Sequence, residues 1–290
     1  MAAFWIKLTG ILLSASSGIL GSFLILRKMA MIGDAISHAV LPGIALAYLV
    51  SGLGSNYLLL IGAALFGMIA TLIIQWLDKR IKMQTDASIG VTFTFLFALG
   101  IILISSFASQ IDLDQDCVLY GEIAYVPLDL LYTTSGMELG PRQVWILGIN
   151  LLIVLSAVLI GWRGWVITSF NEEFAKSIGI NTSFWHYSLM MLVSLTTVVS
   201  FESVGAILVV AFLVIPPATA FLLSKKLSSM ISLSVVFGAI SSFSGYFLAS
   251  RMDGSIAAAM AVCAGILFLI VLLFNPRNGL ITKSLKSLKK

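Results

Sequence analysis

Two ionisable residues, Asp34 and His38, stand four positions apart in the stretch GDAISHAVLPG (33–43) of an otherwise apolar sequence. Residues at positions i and i+4 share one face of a helix, about one turn apart. A carboxylate and an imidazole on one face supply part of a ligand set for Mn(II), Fe(II) or Zn(II). Ionisable groups inside membrane spans are costly and usually functional. The spacing therefore predicts a metal site that includes Asp34 and His38.

A structural role is the alternative interpretation of the same pair. Asp is a good helix N-cap, so Asp34 would cap a helix and His38 would be an interior histidine with its hydrogen bonds satisfied. This explains His38 less well, because His38 lies inside the apolar run. Pro42 and Gly43 follow and predict a kinked or opened helix. Broken helices are how transporters expose ligands at membrane depth, but the residues alone leave both interpretations open.

The elements that must position this pair are long apolar segments. The chain has 290 residues, 59% of them hydrophobic and 10% charged, and its mean hydropathy is +1.07. A soluble domain carries about a quarter charged residues, so the composition predicts an all-α polytopic membrane protein. Runs of roughly 20 apolar residues number about nine, with eight or ten as alternatives. They lie near residues 8–26, 36–53, 57–77, 86–108, 143–162, 185–201, 203–223, 229–249 and 255–274.

The charges assign sides to the connections between the spans. Cytoplasmic connections of membrane proteins are enriched in Lys and Arg. With nine spans, all the basic pairs fall on one side, and the acidic stretch 109–142 falls on the other. The sequence therefore predicts a single transmembrane domain over 1–290. Its parts are an extracytoplasmic loop region at 109–142, a cytoplasmic loop at 163–184 and a basic cytoplasmic tail at 276–290.

The predicted cytoplasmic loop contains FNEEFAKSIGINTSFW, residues 170–185. Asn171 suits an N-cap, Glu172 and Glu173 suit a first helical turn, and Gly179 suits a helix end. This pattern predicts a short helix of two turns outside the bilayer. Such a helix is what a permease needs to engage a soluble motor, although an ordinary solvated loop helix has the same pattern.

A third candidate, Glu202, stands at the predicted junction of two spans in SFESVGAILVVAFLVIPPATA. It would line the outer mouth of a cation path, or it would be a surface carboxylate at a tight turn. Pro216 and Pro217 interrupt the second of these spans, since a proline removes a backbone donor and bends a helix.

Several function classes are excluded by what the sequence lacks. It contains no GxxxxGK[ST] phosphate loop, no HExxH and no GxSxG, so we expect no ATP site of that kind and no enzyme activity. Its two cysteines, Cys117 and Cys263, form no metal motif. The excess of 17 Lys and Arg over 13 Asp and Glu reflects cytoplasmic loops rather than nucleic-acid binding.

Three of these stretches, in order along the chain, resemble one known family. GDAISHAVLPGIALAYL resembles the signature stretch of the permease subunits of ABC importers for manganese, zinc and iron. NEEFAKSIGI resembles that family's cytoplasmic coupling segment, and SFESVGAILVVAFLVIPPATA resembles its late span with a proline-containing end. The resemblance covers most of the chain. This chain departs from the family at Asn171, where Asp is common, and at Pro217, where Ala is common.

The resemblance implies a type II ABC-importer-like helix bundle in the bacterial cytoplasmic membrane. It implies two cytoplasmic ATP-binding subunits, an extracytoplasmic metal-binding protein, and pairing as a homodimer or with a sister permease. ATP hydrolysis is expected on the separate partner subunit. No cofactor is expected to be permanently bound, and the transported ion would be Mn, Fe or Zn. The family's metal role falls on Asp34 and His38, with Glu202 as a further candidate. Its coupling role falls on Glu172, Glu173, Ala175 and Gly179.

A secondary transporter driven by protons or sodium is the alternative function. In that case Asp34 and His38 would form a proton relay, as ionisable pairs do in such transporters. An associated ATPase subunit or vanadate-sensitive uptake separates the two hypotheses.

Overall fold

The computed structural model describes residues 1–51, 56–107, 123–132 and 138–275. The predicted tail at 276–290 and much of the predicted loop region 109–142 lie outside the described residues. The elements in chain order are α1 (Ala2–Leu26), α2 (Ile32–Ala39), α3 (Leu41–Ser51), α4 (Asn56–Ile81), α5 (Thr85–Phe107), a 3₁₀ helix (Ile123–Leu128), β1 (Leu130–Tyr132), β2 (Glu138–Pro141), α6 (Arg142–Phe170), α7 (Glu172–Ser177), α8 (Thr182–Leu223), α9 (Leu227–Met252) and α10 (Ile256–Phe274).

The described residues contain nine helical segments long and apolar enough to cross a membrane. This confirms the predicted number and the predicted place of each span. Helices α2 and α3 together provide one span, and α8 provides two, Thr182–Phe201 and Ser203–Leu223. The small antiparallel pair β1–β2 was not predicted, because its strands are only three and four residues long.

Helix α8 reverses its course at Gly205. It has 42 residues, and at about 1.5 Å per residue a straight helix of that length would be twice as long as a membrane core is thick. Gly205 has φ 77° and ψ 165°, a conformation that glycine adopts far more easily than other residues. The bend lets the two halves of α8 run as separate spans.

Contacts define two ends of the bundle. Near the bend, Ser203 Oγ donates a hydrogen bond to Gln143 Oε1 at 2.8 Å, at the start of α6. At the opposite end, Asn275 Nδ2 donates to the carbonyl oxygen of Leu222 at 2.7 Å. We call these ends the Gly205 end and the α7 end, because α7 lies beside the second.

Helix α1 is the centre of the bundle, packed against α6, α8 and α9. Small residues let it approach its neighbours closely, as is common between membrane helices. Opposite each other on α1 and α9 lie Gly10 and Ser242, Ser14 and Gly238, and Gly18 and Ser234. These pairs form a small-residue packing face along the first span.

Helix α6 continues well into the predicted cytoplasmic loop 163–184 and ends only at Phe170. Tertiary packing explains the extension. Gly164 packs against the indole ring of Trp185, and the side chain of Trp165 is only 2% exposed. Because these contacts bury the last turns of α6, the connection that remains between α6 and α8 is short and consists mostly of α7.

Candidate functional site

Helix α2 lies at mid-depth in the bundle. Gly33 packs against the side chain of Leu213, near the middle of the second half of α8. Ile36 lies beside Gly67, near the middle of α4. The short helix therefore does not stay at the α7 end, where α1 stops, but extends into the depth of the bundle.

Asp34 and His38 share one face of α2, as their spacing predicted. Nε2 of His38 lies 3.6 Å from Oδ1 of Asp34. The N-cap of α2 is Met31 and Asp34 is already the third residue of the helix, so the alternative in which Asp34 is the N-cap is wrong. Both side chains are partly exposed, 37% for Asp34 and 29% for His38, and they form a polar ridge on the surface of this chain.

Two phenyl rings of α5 hold the imidazole of His38. The ring centroid of Phe93 is 5.6 Å away and that of Phe97 is 5.3 Å away, the second ring standing nearly perpendicular at 81°. Aromatic pairs prefer such offset or edge-to-face arrangements. These partners could not be predicted from the residues around His38, because they lie on a different span.

The ladder of helical hydrogen bonds is interrupted directly after the pair. Helix α2 ends at Ala39 and α3 begins at Leu41, but Val40 between them keeps a helical conformation, with φ −69° and ψ −28°, and the two helices form one span. A proline has no N–H, so Pro42 cannot donate to the carbonyl oxygen four residues earlier, which is that of His38. This leaves a backbone acceptor close to the imidazole in sequence.

The described residues supply only part of a metal-ligand set. We find no group of three or more His, Cys, Asp or Glu side chains that lie close enough to hold a metal ion. This applies to the described residues, 1–51, 56–107, 123–132 and 138–275. The backbone of Glu202 lies at the Gly205 end, next to Ser203, and its side chain is not among the described ones. As metal ligands, Asp34 and His38 would need water or a second protein to complete a coordination shell.

The predicted short helix at the α7 end is present and capped as predicted. Asn171 Oδ1 accepts a hydrogen bond from the amide of Phe174 at 2.9 Å. Gly179 ends the segment with φ 80°, and the amide of Ile180 bonds back to the carbonyl of Ala175 at 3.0 Å. Gly179 is needed here because a positive φ is unfavourable for residues with a side chain.

One face of α7 packs on the bundle and the other is open. Ala175 is fully buried, whereas Phe174 is 53% and Ile178 51% exposed. Glu172 and Lys176 form an ion pair at 2.8 Å, and the hydrogen bond to Glu172 raises the pKa of Lys176. Exposed apolar side chains between charges are typical of a protein-binding surface.

A hydrogen-bonded cluster that was not predicted from the sequence surrounds Arg27, the residue that follows α1. The Arg27 guanidinium contacts Thr168, Ser169 and His186. Burial lowers the pKa of Arg27 to about 10, although the nearby Glu172 acts in the opposite direction. His186 lies 159 residues from Arg27 along the chain, so nothing near either residue in the sequence indicates this contact.

Nine apolar spans among the described residues, a polar pair at mid-depth and an exposed helix at one end define a polytopic membrane protein. The profile of the ABC 3 transport family matches residues 2–275, and the chain belongs to this family. It is a multi-pass protein of the bacterial inner membrane.

Curated relatives match nearly the whole chain. The manganese transport system membrane protein MntD of Bacillus subtilis is 43% identical over 98% of this chain and 96% of its own length. The manganese transport system membrane protein MntC of Listeria monocytogenes is 41% identical over 94% of this chain and 91% of its own. The zinc transport system membrane protein TroD of Treponema pallidum is 38% identical over 97% and 76%.

Solved structures show the same architecture. PsaBC from Streptococcus pneumoniae in complex with Fab has a TM-score of 0.76 and 35% identity, covering 99% of this chain and 94% of that one. An inward-facing metal-chelate type ABC transporter has a TM-score of 0.67 at 18% identity, over 93% and 85%, and shows the fold alone. The predicted fold class is confirmed.

Proposed function

We propose that this chain is the transmembrane subunit of an ATP-driven importer that moves a divalent transition metal ion, Mn, Fe or Zn, into the cytoplasm. The observation that carries the proposal is the Asp34 carboxylate 3.6 Å from the His38 imidazole, at mid-depth in a bundle of membrane spans. Oxygen and nitrogen ligands of this kind suit all three ions. The curated relatives, named for manganese and zinc transport, support the same substrate class.

The ligand set is small because transport needs release as well as binding. Two protein ligands leave room for water on the ion, and sites along a path must bind weakly enough for the ion to leave. Glu202, at the Gly205 end, is a further candidate ligand near the entrance. We expect an extracytoplasmic binding protein to deliver the ion at that end.

A second permease completes the site. Asp34 and His38 are partly exposed on the surface of this chain at membrane depth, and a carboxylate facing lipid is unfavourable. The adjacent face of α5 is also open, with Thr94, Phe95 and Ala98 exposed. A second copy of the chain, or a sister permease, would cover this face and bring its own ligands to the ion.

The α7 end carries the contact with the motor. Two cytoplasmic ATP-binding subunits would dock on α7, one on each permease, through Phe174 and Ile178. In this proposal Glu172, Glu173, Ala175 and Gly179 form the coupling segment, with Ala175 seated on the bundle so that a push on α7 reaches the spans.

The test is metal uptake into proteoliposomes that contain the permease with its ATP-binding subunits. We expect Asp34→Ala and His38→Ala each to reduce uptake by about tenfold or more, because a ligand is lost. Asp86→Asn is the matched control, since Asp86 is an exposed carboxylate at the start of α5, away from the pair. Normal uptake by either ligand variant would refute the site. Uptake that is insensitive to vanadate and driven by a proton or sodium gradient would favour the secondary transporter instead.

A further inference from the structure

We propose that Arg27 is a positioning residue that links α7 to α2, so that movement of the coupling segment reaches the metal ligands. The inference rests on the proposed function and adds to it a residue that touches neither metal nor ATPase. The supporting observations are the hydrogen bonds of the Arg27 guanidinium group and the short connection from Arg27 to α2.

All three side-chain nitrogens of Arg27 contact residues that are distant from it in the sequence. Its Nε donates to Ser169 Oγ at 2.9 Å and its Nη2 donates to Thr168 Oγ1 at 2.8 Å. Its Nη1 lies 3.1 Å from Nδ1 of His186. The planar fork of an arginine fits several acceptors at once, and hydrogen bonds from a charged donor are stronger than neutral ones.

These partners flank α7 on both sides. Thr168 and Ser169 belong to the last turn of α6, directly before Asn171, which caps α7. His186 lies near the start of α8, which follows α7 along the chain. A displacement of α7 that carries these flanking residues with it would move the partners of Arg27 or break its hydrogen bonds.

On its other side, Arg27 is joined to α2 by a tight connection. The amide of Lys28 bonds to the carbonyl of Ile25 at 3.0 Å, and that of Met29 bonds to Leu24 at 2.9 Å. The amide of Ile32, the first residue of α2, bonds to the carbonyl of Met29 at 3.2 Å. These backbone hydrogen bonds make the connection rigid. A displacement of Arg27 is therefore transmitted to α2.

The charge on α7 itself adds to the link. Glu172, in the first turn of α7, interacts favourably with the Arg27 charge. A cavity of about 300 Å³ lies beside them, lined among others by Arg27, Asp78, Thr85 and Glu172. This space lies between the start of α7 and the facing ends of α4 and α5, so the start of α7 is not packed tightly against them.

The experiment measures the amount of metal transported per ATP hydrolysed, using the reconstituted complex of permease and ATP-binding subunits. Arg27→Lys keeps the charge but replaces the planar fork with a single ammonium group. We expect it to reduce the ratio by about fivefold or more, the lower end of typical coupling between linked sites. Ser169→Ala removes one of the hydrogen-bond acceptors of Arg27. We therefore expect it to lower the ratio of metal transported to ATP hydrolysed, but by a smaller factor than Arg27→Lys. Lys225→Gln is the control, an exposed cation in the connection between α8 and α9, and should leave the ratio unchanged.

The outcomes separate this inference from the proposed function. A ratio unchanged in Arg27→Lys, including one accompanied by a lower melting temperature, shows that Arg27 only stabilises the fold and overturns the inference. Should Arg27→Lys fail to assemble, the double variant Thr168→Val, Ser169→Ala decides by the same ratio, with Arg27 in place. A wild-type complex without ATP-driven metal uptake would refute the proposed function instead.

Discussion

The imidazole of His38 stands edge-on to the phenyl ring of Phe97, with ring centroids 5.3 Å apart and the planes at 81°. The contact joins two different spans, since His38 belongs to α2 and Phe97 to α5. A metal-binding histidine has to present its ring in a fixed orientation, and second neighbours of a ligand commonly supply that constraint. Phe97 is therefore part of the proposed metal site, as a residue that orients His38 and does not itself bind a metal.

The first prediction concerns this ring. We expect Phe97→Ala to weaken metal affinity by about tenfold. Without the phenyl ring, the imidazole of His38 rotates more freely, so metal binding has to fix its orientation at a cost in conformational entropy. Titration of Mn(II) or Zn(II) into the purified complex measures the effect. Leu99→Ala, a partly buried residue on the same helix, is the control for lost packing on α5. An equal loss of affinity in both variants would mean that the effect arises from packing alone.

The second prediction concerns Pro42. Pro42→Ala restores an amide that can donate to the carbonyl of His38 and should make α2 and α3 more continuous. We expect a slower maximal rate of uptake with little loss of stability, because the added hydrogen bond to the His38 carbonyl stiffens the helix beside the imidazole. Initial rates in proteoliposomes, together with the melting temperature, provide the test. An unchanged rate would show that the missing hydrogen bond at Pro42 has no part in transport.

How far the sequence predicts this structure depends on the range of the interactions involved. The nine spans and the helix between Asn171 and Gly179 follow from local composition and capping residues, so they were predicted. The start of α2 was not, because no capping side chain marks Met31. The contact of Arg27 with Thr168 joins residues 141 positions apart, and nothing near either residue indicates it.

The third prediction tests close packing at the centre of the bundle. A Cβ added at Gly21 would overlap the backbone carbonyl of Leu213, so α1 and α8 would have to separate. We expect Gly21→Ala to destabilise the protein by about 1–3 kcal/mol, the usual cost of overpacking a core. Gly148→Ala is the control, since a Cβ at Gly148 meets no atom within 4 Å and alanine favours the helix. Equal melting temperatures for the two variants in detergent would contradict the close approach.

The fourth prediction concerns the binding surface on α7. Phe174→Ala should weaken binding of the ATP-binding subunits by about 2 kcal/mol, as expected for an aromatic anchor in an interface. The amount of ATPase that copurifies with the tagged permease measures this. Leu159→Ala, which removes an apolar side chain 76% exposed on α6, should leave the copurified amount unchanged. If both variants retain the ATPase fully, the docking surface lies elsewhere.

The bend at Gly205 has a consequence for how the chain can be cut. Proteases act on extended, locally unfolded segments, and loop tips are their usual targets. The two halves of α8 meet at a single non-helical residue, so this reversal offers no such segment. A protease added from the Gly205 side would leave residues 182–223 as one uncut fragment.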